Sequence, residues 1–196
     1  MSKQTQEAAQ APLSIDPKYT GRLVATLTAI CLVTALLLGI VNQVTKPRID
    51  AIQKAKQWTA MTAVLQAKVY EPVETSEPYV KALYRATGLD GFEGWVVETS
   101  TSGSQGTIEM MVGVDPEGKV TGVSVVSHSE TPNIGTKVVA DQTVLDRFIG
   151  MSHEGGEITV NSGTNRFDGV TGATYSSKGV AAGVNAALAA VGGPAA

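Results

Sequence analysis

The chain has 196 residues, 15 of them Lys or Arg and 18 Asp or Glu, for a net charge of −3. That length corresponds to one domain plus appendages, and the acidic balance, with no basic cluster carrying interleaved aromatics, excludes nucleic acid as a partner. The single cysteine, Cys31, excludes an internal disulfide and a cysteine-based metal site.

Residues 1–21 form a polar tail, disordered or draped on a partner. Residues 22–44 follow as a transmembrane helix. The run 23–44 is apolar and uncharged, about 22 residues or roughly 33 Å of helix, enough to cross a bilayer. A cleavable signal peptide has a shorter apolar region and a small-residue cleavage site, which Gly39, Ile40 and Val41 do not supply. A lipid anchor on Cys31 fails because the cysteine lies inside the apolar run, behind Ile30. A buried soluble helix is disfavoured by length. Lys3, Lys18 and Arg22 flank one side of the span and Lys46, Arg48, Lys54 and Lys56 the other, so charge does not set the orientation.

Thr45 followed by Lys46 and Pro47 predicts a cap and the first turn of a new helix. Ile49, Ile52, Met61, Val64 and Leu65, with Trp58, then recur at helical spacing, as in a stalk helix with one packed face. Residues 70–91 carry acids, two prolines and sparse periodicity. They predict a linker with a short helix at 80–86, so that stalk and linker together occupy 45–92.

From Gly94 the pattern changes to strands. Residues 95–99, 107–114 and 119–127 alternate apolar with polar positions, separated by a Gly/Ser-rich turn at 100–106 and a proline turn at 115–118. These predict an antiparallel meander of at least three strands packed on helices, an α+β fold for the domain at 93–196. A short helix at 138–148 and a strand at 157–160 follow.

Two polar segments stand out. The first, from His128 to Gly135, includes Glu130, Thr131, Pro132 and Asn133 and ends the meander, where a sheet holds a functional loop rigid. His128 and His153 lack the spacing of a zinc pair. No nucleophile elbow, phosphate loop or dinucleotide fingerprint occurs. The second segment, 168–177, places Asp168, Thr171, Gly172, Ala173 and Thr174 before an Ala-rich helix at 178–190. Ser176 or Ser177 is the expected N-cap. A helix N-terminus behind a glycine-rich loop favours a phosphate; an ordinary small-residue turn has the same composition.

Together the span, the small α+β domain, the Glu130-Thr131-Pro132 loop closed by Gly135 and the Asp168 to Thr174 signature resemble the FMN-binding domain family. More narrowly, they resemble the G subunits of Rnf-type electron-transport complexes. The resemblance implies FMN joined to the Thr174 side-chain oxygen through a phosphoester bond. A flavin transferase, recognising Asp168, Gly172, Ala173 and Thr174, would install it from FAD. It also implies that Glu130, Thr131, Pro132 and Gly135 lie beside the isoalloxazine ring. Thr171 stands where serine is frequent in the family, and Asn133 where glycine is usual; asparagine tolerates the left-handed backbone better than most residues.

The function so implied is a one-electron relay with no turnover alone, working with the A, B, C, D and E subunits of a complex. That complex couples ferredoxin oxidation and NAD⁺ reduction to Na⁺ or H⁺ translocation. The amino terminus would be cytoplasmic and the flavin domain on the outer face of the cytoplasmic membrane. The C subunit of the Na⁺-translocating NADH:quinone reductase shares the domain but is typically longer. A flavin-free extracytoplasmic sensor or binding module is the reading from another class.

Overall fold

The computed structural model describes residues 17–89 and 91–192. Most of the expected N-terminal tail, with Lys3, lies outside the described residues. One compact unit ends at Ile52 and a second begins at Gln53.

Helix α1 runs from Pro17 to Val64. Its apolar part has a mean hydropathy of 2.6 over 18 residues, none of them buried, and it is long and apolar enough to cross a membrane. The expected helix break at Thr45 is absent. Pro47 lies inside α1, where it removes one backbone donor and leaves the Gln43 carbonyl without its helical partner. Thr45 caps nothing; its hydroxyl donates back to the Val41 carbonyl at 2.7 Å.

In the second unit, strands β1 (Val69–Val73), β2 (Val80–Thr87), β3 (Phe92–Ser102), β4 (Thr107–Val114) and β5 (Val120–Ser127) form one antiparallel sheet in chain order. The meander thus contains the three strands read from the sequence and two more, β1 and β2, from the segment expected as linker. The expected linker helix at 80–86 is β2. Leu83 and Ala86 are three apart, a spacing that reads as helical, but they enter opposite cores. A strand sends odd and even positions to opposite faces, so this strand has an apolar residue on each.

Both faces of the sheet are covered. On one, Val97, Ile108, Met110, Val112 and Val114 pack against Val180, Val184, Ala187 and Leu188 of α4 (Thr174–Gly192). Gly179 and Gly183 let that helix approach closely: a β-carbon at Gly179 would stand 2.6 Å from the Ser102 carbonyl oxygen. On the other face, Ala60, Met61 and Val64 of α1 meet Ala86, Val96 and Met111. Hydrogen bonds fasten this helix end. The Thr121 hydroxyl donates to the Val64 carbonyl (2.6 Å) and the Tyr70 hydroxyl to the Leu65 carbonyl (2.7 Å).

Between β5 and α4 the chain forms α2 (Thr136–Val139), α3 (Gln142–Leu145) and a 3-10 turn at Asp146–Phe148, in place of the single helix expected at 138–148. Asp141 divides them, its carboxylate accepting from the Thr143 N–H as the cap of α3. The strand expected at 157–160 shortens to β6 (Thr159–Val160), which pairs in parallel with β7 (Arg166–Phe167). Phe148 and Phe167 stack with ring centres 4.1 Å apart, so the start of the second polar segment hangs from a buried aromatic pair.

Candidate functional site

The segment after Phe167 is held by hydrogen bonds from four directions. The Arg147 guanidinium donates to the Asp168 carbonyl (2.8 Å), and Arg166 pairs with the Asp168 carboxylate (2.9 Å). The Gly169 N–H donates to the Asn161 side chain (2.9 Å) and the Val170 N–H to the Ser177 hydroxyl (3.2 Å). Only glycine fits at 169, where a β-carbon would stand 2.7 Å from Val160. Gly172 takes φ 83°, the left-handed region, and faces open space. This turn ends at Ala173, which is buried, and α4 starts at Thr174.

Helix α4 thus begins ahead of the expected caps. Ser176 and Ser177 are interior helix residues, almost fully buried. Their hydroxyls reach other segments, Ser177 toward Val170 and Ser176 toward Glu130. The early start puts Thr174 in the first turn, where helical N–H groups have no carbonyl within the helix. Thr174 is exposed, and its hydroxyl bonds to no other described residue. Tyr175 beside it is 75% exposed.

The loop from Glu130 to Gly135 meets this turn through one side chain. Glu130 is 5% exposed. One carboxyl oxygen accepts from the backbone N–H groups of Ser104 (2.8 Å) and Gln105 (3.4 Å); the other accepts from the Ser176 hydroxyl (2.6 Å). The Glu130 N–H donates to Nδ1 of His128 (3.3 Å), which fixes that nitrogen as the acceptor. Gly135 is buried against the Glu130 carboxyl and the Ser176 hydroxyl, with no room for a side chain. Thr131 is half-buried and its carbonyl accepts from the Ile134 and Thr136 N–H groups. Asn133 adopts φ 62°, the left-handed conformation that glycine would otherwise supply there. Pro132 and Ile134 remain exposed.

The two segments singled out in the sequence therefore meet through the bond between Glu130 and Ser176. Thr171 and Gly172 are exposed in the turn, Ala173 is buried beneath it, and Thr174 is the free hydroxyl above it. Sequence reasoning missed Arg147 and Asn161, which hold the turn from distant parts of the chain and carry no local signal. It also predicts caps at Ser176 and Ser177, whose hydroxyls instead make tertiary bonds.

Two cavities lie away from this turn. One of about 340 Å³ is lined by Tyr79, His153, Glu157, Asn185 and alanines of α4. Another of about 300 Å³ is lined by Gln53, Lys56, Gln57, Lys81 and Glu109. Neither of these two includes Thr174 or the loop at Glu130. The residues present are compatible with FMN: an exposed Thr174 hydroxyl stands beside the N–H groups of the first turn of α4, which suit a phosphate.

The FMN-binding domain family matches residues 103–189. The G subunit of the proton-translocating ferredoxin:NAD⁺ oxidoreductase complex of Clostridium ljungdahlii is 31% identical over 170 residues, covering 83% of this chain and 86% of that one. The G subunit of the ion-translocating oxidoreductase complex of Methanosarcina acetivorans is 29% identical, covering 88% and 95%. The G subunit of the Na⁺-translocating ferredoxin:NAD⁺ oxidoreductase complex of Acetobacterium woodii is 28% identical, covering 90% and 93%. The crystal structure of Shewanella oneidensis NqrC overlaps at a TM-score of 0.46 and 22% identity, over 59% of this chain and 62% of that one. The chain belongs to the family of G subunits of Rnf-type ion-translocating oxidoreductase complexes.

Proposed function

We propose that this chain is a membrane-anchored flavoprotein electron carrier, the G subunit of an Rnf-type complex, with FMN bound covalently through the Thr174 hydroxyl. The observation that carries the reading is that hydroxyl: exposed, unpartnered among the described residues, and in the first turn of α4. Near end-to-end coverage of G-subunit relatives supports the G subunit over the C subunit of a Na⁺-translocating NADH:quinone reductase.

FMN, when bound, supplies electron transfer one electron at a time. The chain's residues tether and orient it. Thr174 would provide the ester oxygen to the FMN phosphorus of FAD as the pyrophosphate bond breaks and AMP leaves; no base among the described residues is bonded to that hydroxyl, so the transferase would take the proton. Gly172 and Thr171 leave the approach open, and Asp168, fixed by Arg147 and Arg166, offers the transferase a rigid recognition point. Helix N–H groups in the first turn of α4 would hold the phosphodiester. By the family resemblance, the loop of Thr131, Pro132 and Gly135 would border the ring. Helix α1 anchors the domain, with the amino terminus cytoplasmic and the flavin on the outer face, and the remaining subunits of the complex supply and remove electrons. The ion moved is Na⁺ or H⁺.

Coexpression with a flavin transferase tests the attachment. The denatured wild-type band should fluoresce on a gel and gain the mass of FMN less one water, and Thr174→Ala should lose both while its circular dichroism stays native. A fluorescent Thr174→Ala band sinks the attachment site. Protease protection in oriented vesicles tests the placement, and a C-terminal domain digested from the cytoplasmic side overturns it.

A further inference from the structure

The family resemblance puts Glu130 beside the flavin ring, yet its carboxyl faces inward and is taken up by three donors from two other segments of the chain. It takes the N–H groups of Ser104 and Gln105 from the turn between β3 and β4, and the hydroxyl of Ser176 from the first turn of α4. The backbone has made room for it twice. Gly103 lies against one carboxyl oxygen and Gly135 against the other, and a side chain at either position would overlap the carboxyl. The group is almost wholly buried, so water does not substitute for these partners.

We infer that Glu130 is a positioning residue for Thr174: it locks the first turn of α4 to the loop and to the sheet turn, and so holds the Thr174 hydroxyl where a transferase can use it. The inference rests on the reading of Thr174 as the flavin carrier. The physical need is specific. The first turn of a helix is where fraying starts, because its N–H groups lack helical partners. Ser176 follows closely on Thr174, in that same turn, and its 2.6 Å bond ties the turn to a carboxyl anchored in the sheet. Below it, Ser177 ties the same turn to Val170 at 3.2 Å, a longer bond between closer neighbours in the chain. Glu130 is therefore the long-range half of the clamp, across 46 residues.

Full-length wild type, Ser176→Ala, Glu130→Ala and Glu130→Gln are coexpressed with limiting flavin transferase, and covalent flavin is measured per folded molecule against time. Ser176→Ala removes only the bond to α4. It should slow incorporation per folded molecule about tenfold, the factor that goes with losing one hydrogen bond to a carboxyl, and lower the melting temperature by a few degrees without unfolding the domain. Amide exchange at Ser177 in flavin-free protein should quicken by a similar factor. Glu130→Ala should be slowed at least as much. Glu130→Gln keeps an oxygen for the two N–H groups and can donate to the Ser176 oxygen, so it should stay within about twofold of wild type. Wild-type incorporation in Ser176→Ala, with unchanged amide exchange, overturns the inference while leaving Thr174 as the carrier. A slow Glu130→Gln also overturns it, since the bond to Ser176 would then not be what matters. Wild type that stays dark overturns both readings together.

Discussion

Along β3, Val97 packs toward α4 and Val96 toward the end of α1, though the two are adjacent in the chain. The α4 face is a continuous apolar layer, extended past the sheet by Val138, Phe148 and Phe167. The α1 face is smaller and carries charge. There Glu98, 4% exposed, lies 3.4 Å from the Lys81 ammonium and accepts from Gln57 at 3.4 Å, while Lys81 also pairs with Glu109 at 2.8 Å. The α4 face holds the candidate site and the α1 face receives the last turns of α1. Strand alternation treats the two alike. What separates them is the covering element: a helix of small residues that closes down fully, against a helix end whose last carbonyls need donors.

If the α4 face is the dominant core, truncating it should cost most. Phe167→Ala should destabilise the full-length protein by about 3–5 kcal/mol and loosen the turn leading to Thr174, whereas Met61→Ala should cost about 2 kcal/mol. Denaturant unfolding in detergent measures both, and a Met61→Ala penalty equal to that of Phe167→Ala would reverse the ranking.

The charged face should respond to partner removal and not to volume. Lys81→Met leaves the buried Glu98 carboxyl with the Gln57 amide but no cation, and should cost about 1–3 kcal/mol. Combining it with Glu98→Leu should recover most of that loss, because replacing both charges by apolar groups removes the desolvation cost. A double variant as weak as the single one would show that the pair itself stabilises the face.

Two threonines sharpen the α4 face. Thr101 donates to the Gly179 carbonyl at 2.8 Å, so Thr101→Val should cost about 1 kcal/mol. Thr99, one turn of α4 further along against Gly183, has a buried hydroxyl with no partner among the described residues. Thr99→Val should be neutral or stabilising, and a loss matching that of Thr101→Val would mean its hydroxyl is satisfied.

The smallest expected effects are on pH. Hydrogen bonds from the Thr143 hydroxyl and N–H hold the Asp141 carboxyl below its ordinary value. Its contribution is present above the unfolded value near 3.8 and lost as pH falls through the lower folded value. Lys81 is shifted the other way, raised above 10.5 chiefly by its bond to Glu109 against opposing desolvation. Its contribution is present below 10.5 and lost as pH rises through the folded value. Asp141→Ala should therefore flatten the acid edge of the stability profile and leave the alkaline edge in place, whereas Lys81→Met, on top of its loss at neutral pH, should flatten the alkaline edge; an Asp141→Ala effect at the alkaline edge, or an unchanged alkaline edge in Lys81→Met, would break these assignments.

Much of this was legible in local patterns. The apolar run at 23–44, the strand at 107–114 and the helix rich in alanine after Thr174 are each set by composition and period, and each is present. The left-handed backbone at Asn133 agrees with what the family resemblance implies, since glycine is usual at that loop position. The misreadings share a cause. Leu83 and Ala86 at helical spacing form a strand because a sheet covered on both faces can bury every residue type in turn. Thr45 and Pro47 read as a boundary, yet α1 runs through them at the loss of one hydrogen bond.

The sequence alone determined which residue types are available for the chemistry: one run apolar enough for a bilayer, one threonine between a small-residue turn and a helix, one acid-containing loop after the sheet. It did so because period, turn chemistry and capping act over a few residues. Only the tertiary structure decided that Glu130 turns inward to Ser176, that Arg147 and Asn161 frame the turn at Asp168, and that α4 starts at Thr174 itself. Those outcomes depend on groups far apart in the chain satisfying one another's hydrogen bonds away from water, which no local pattern records.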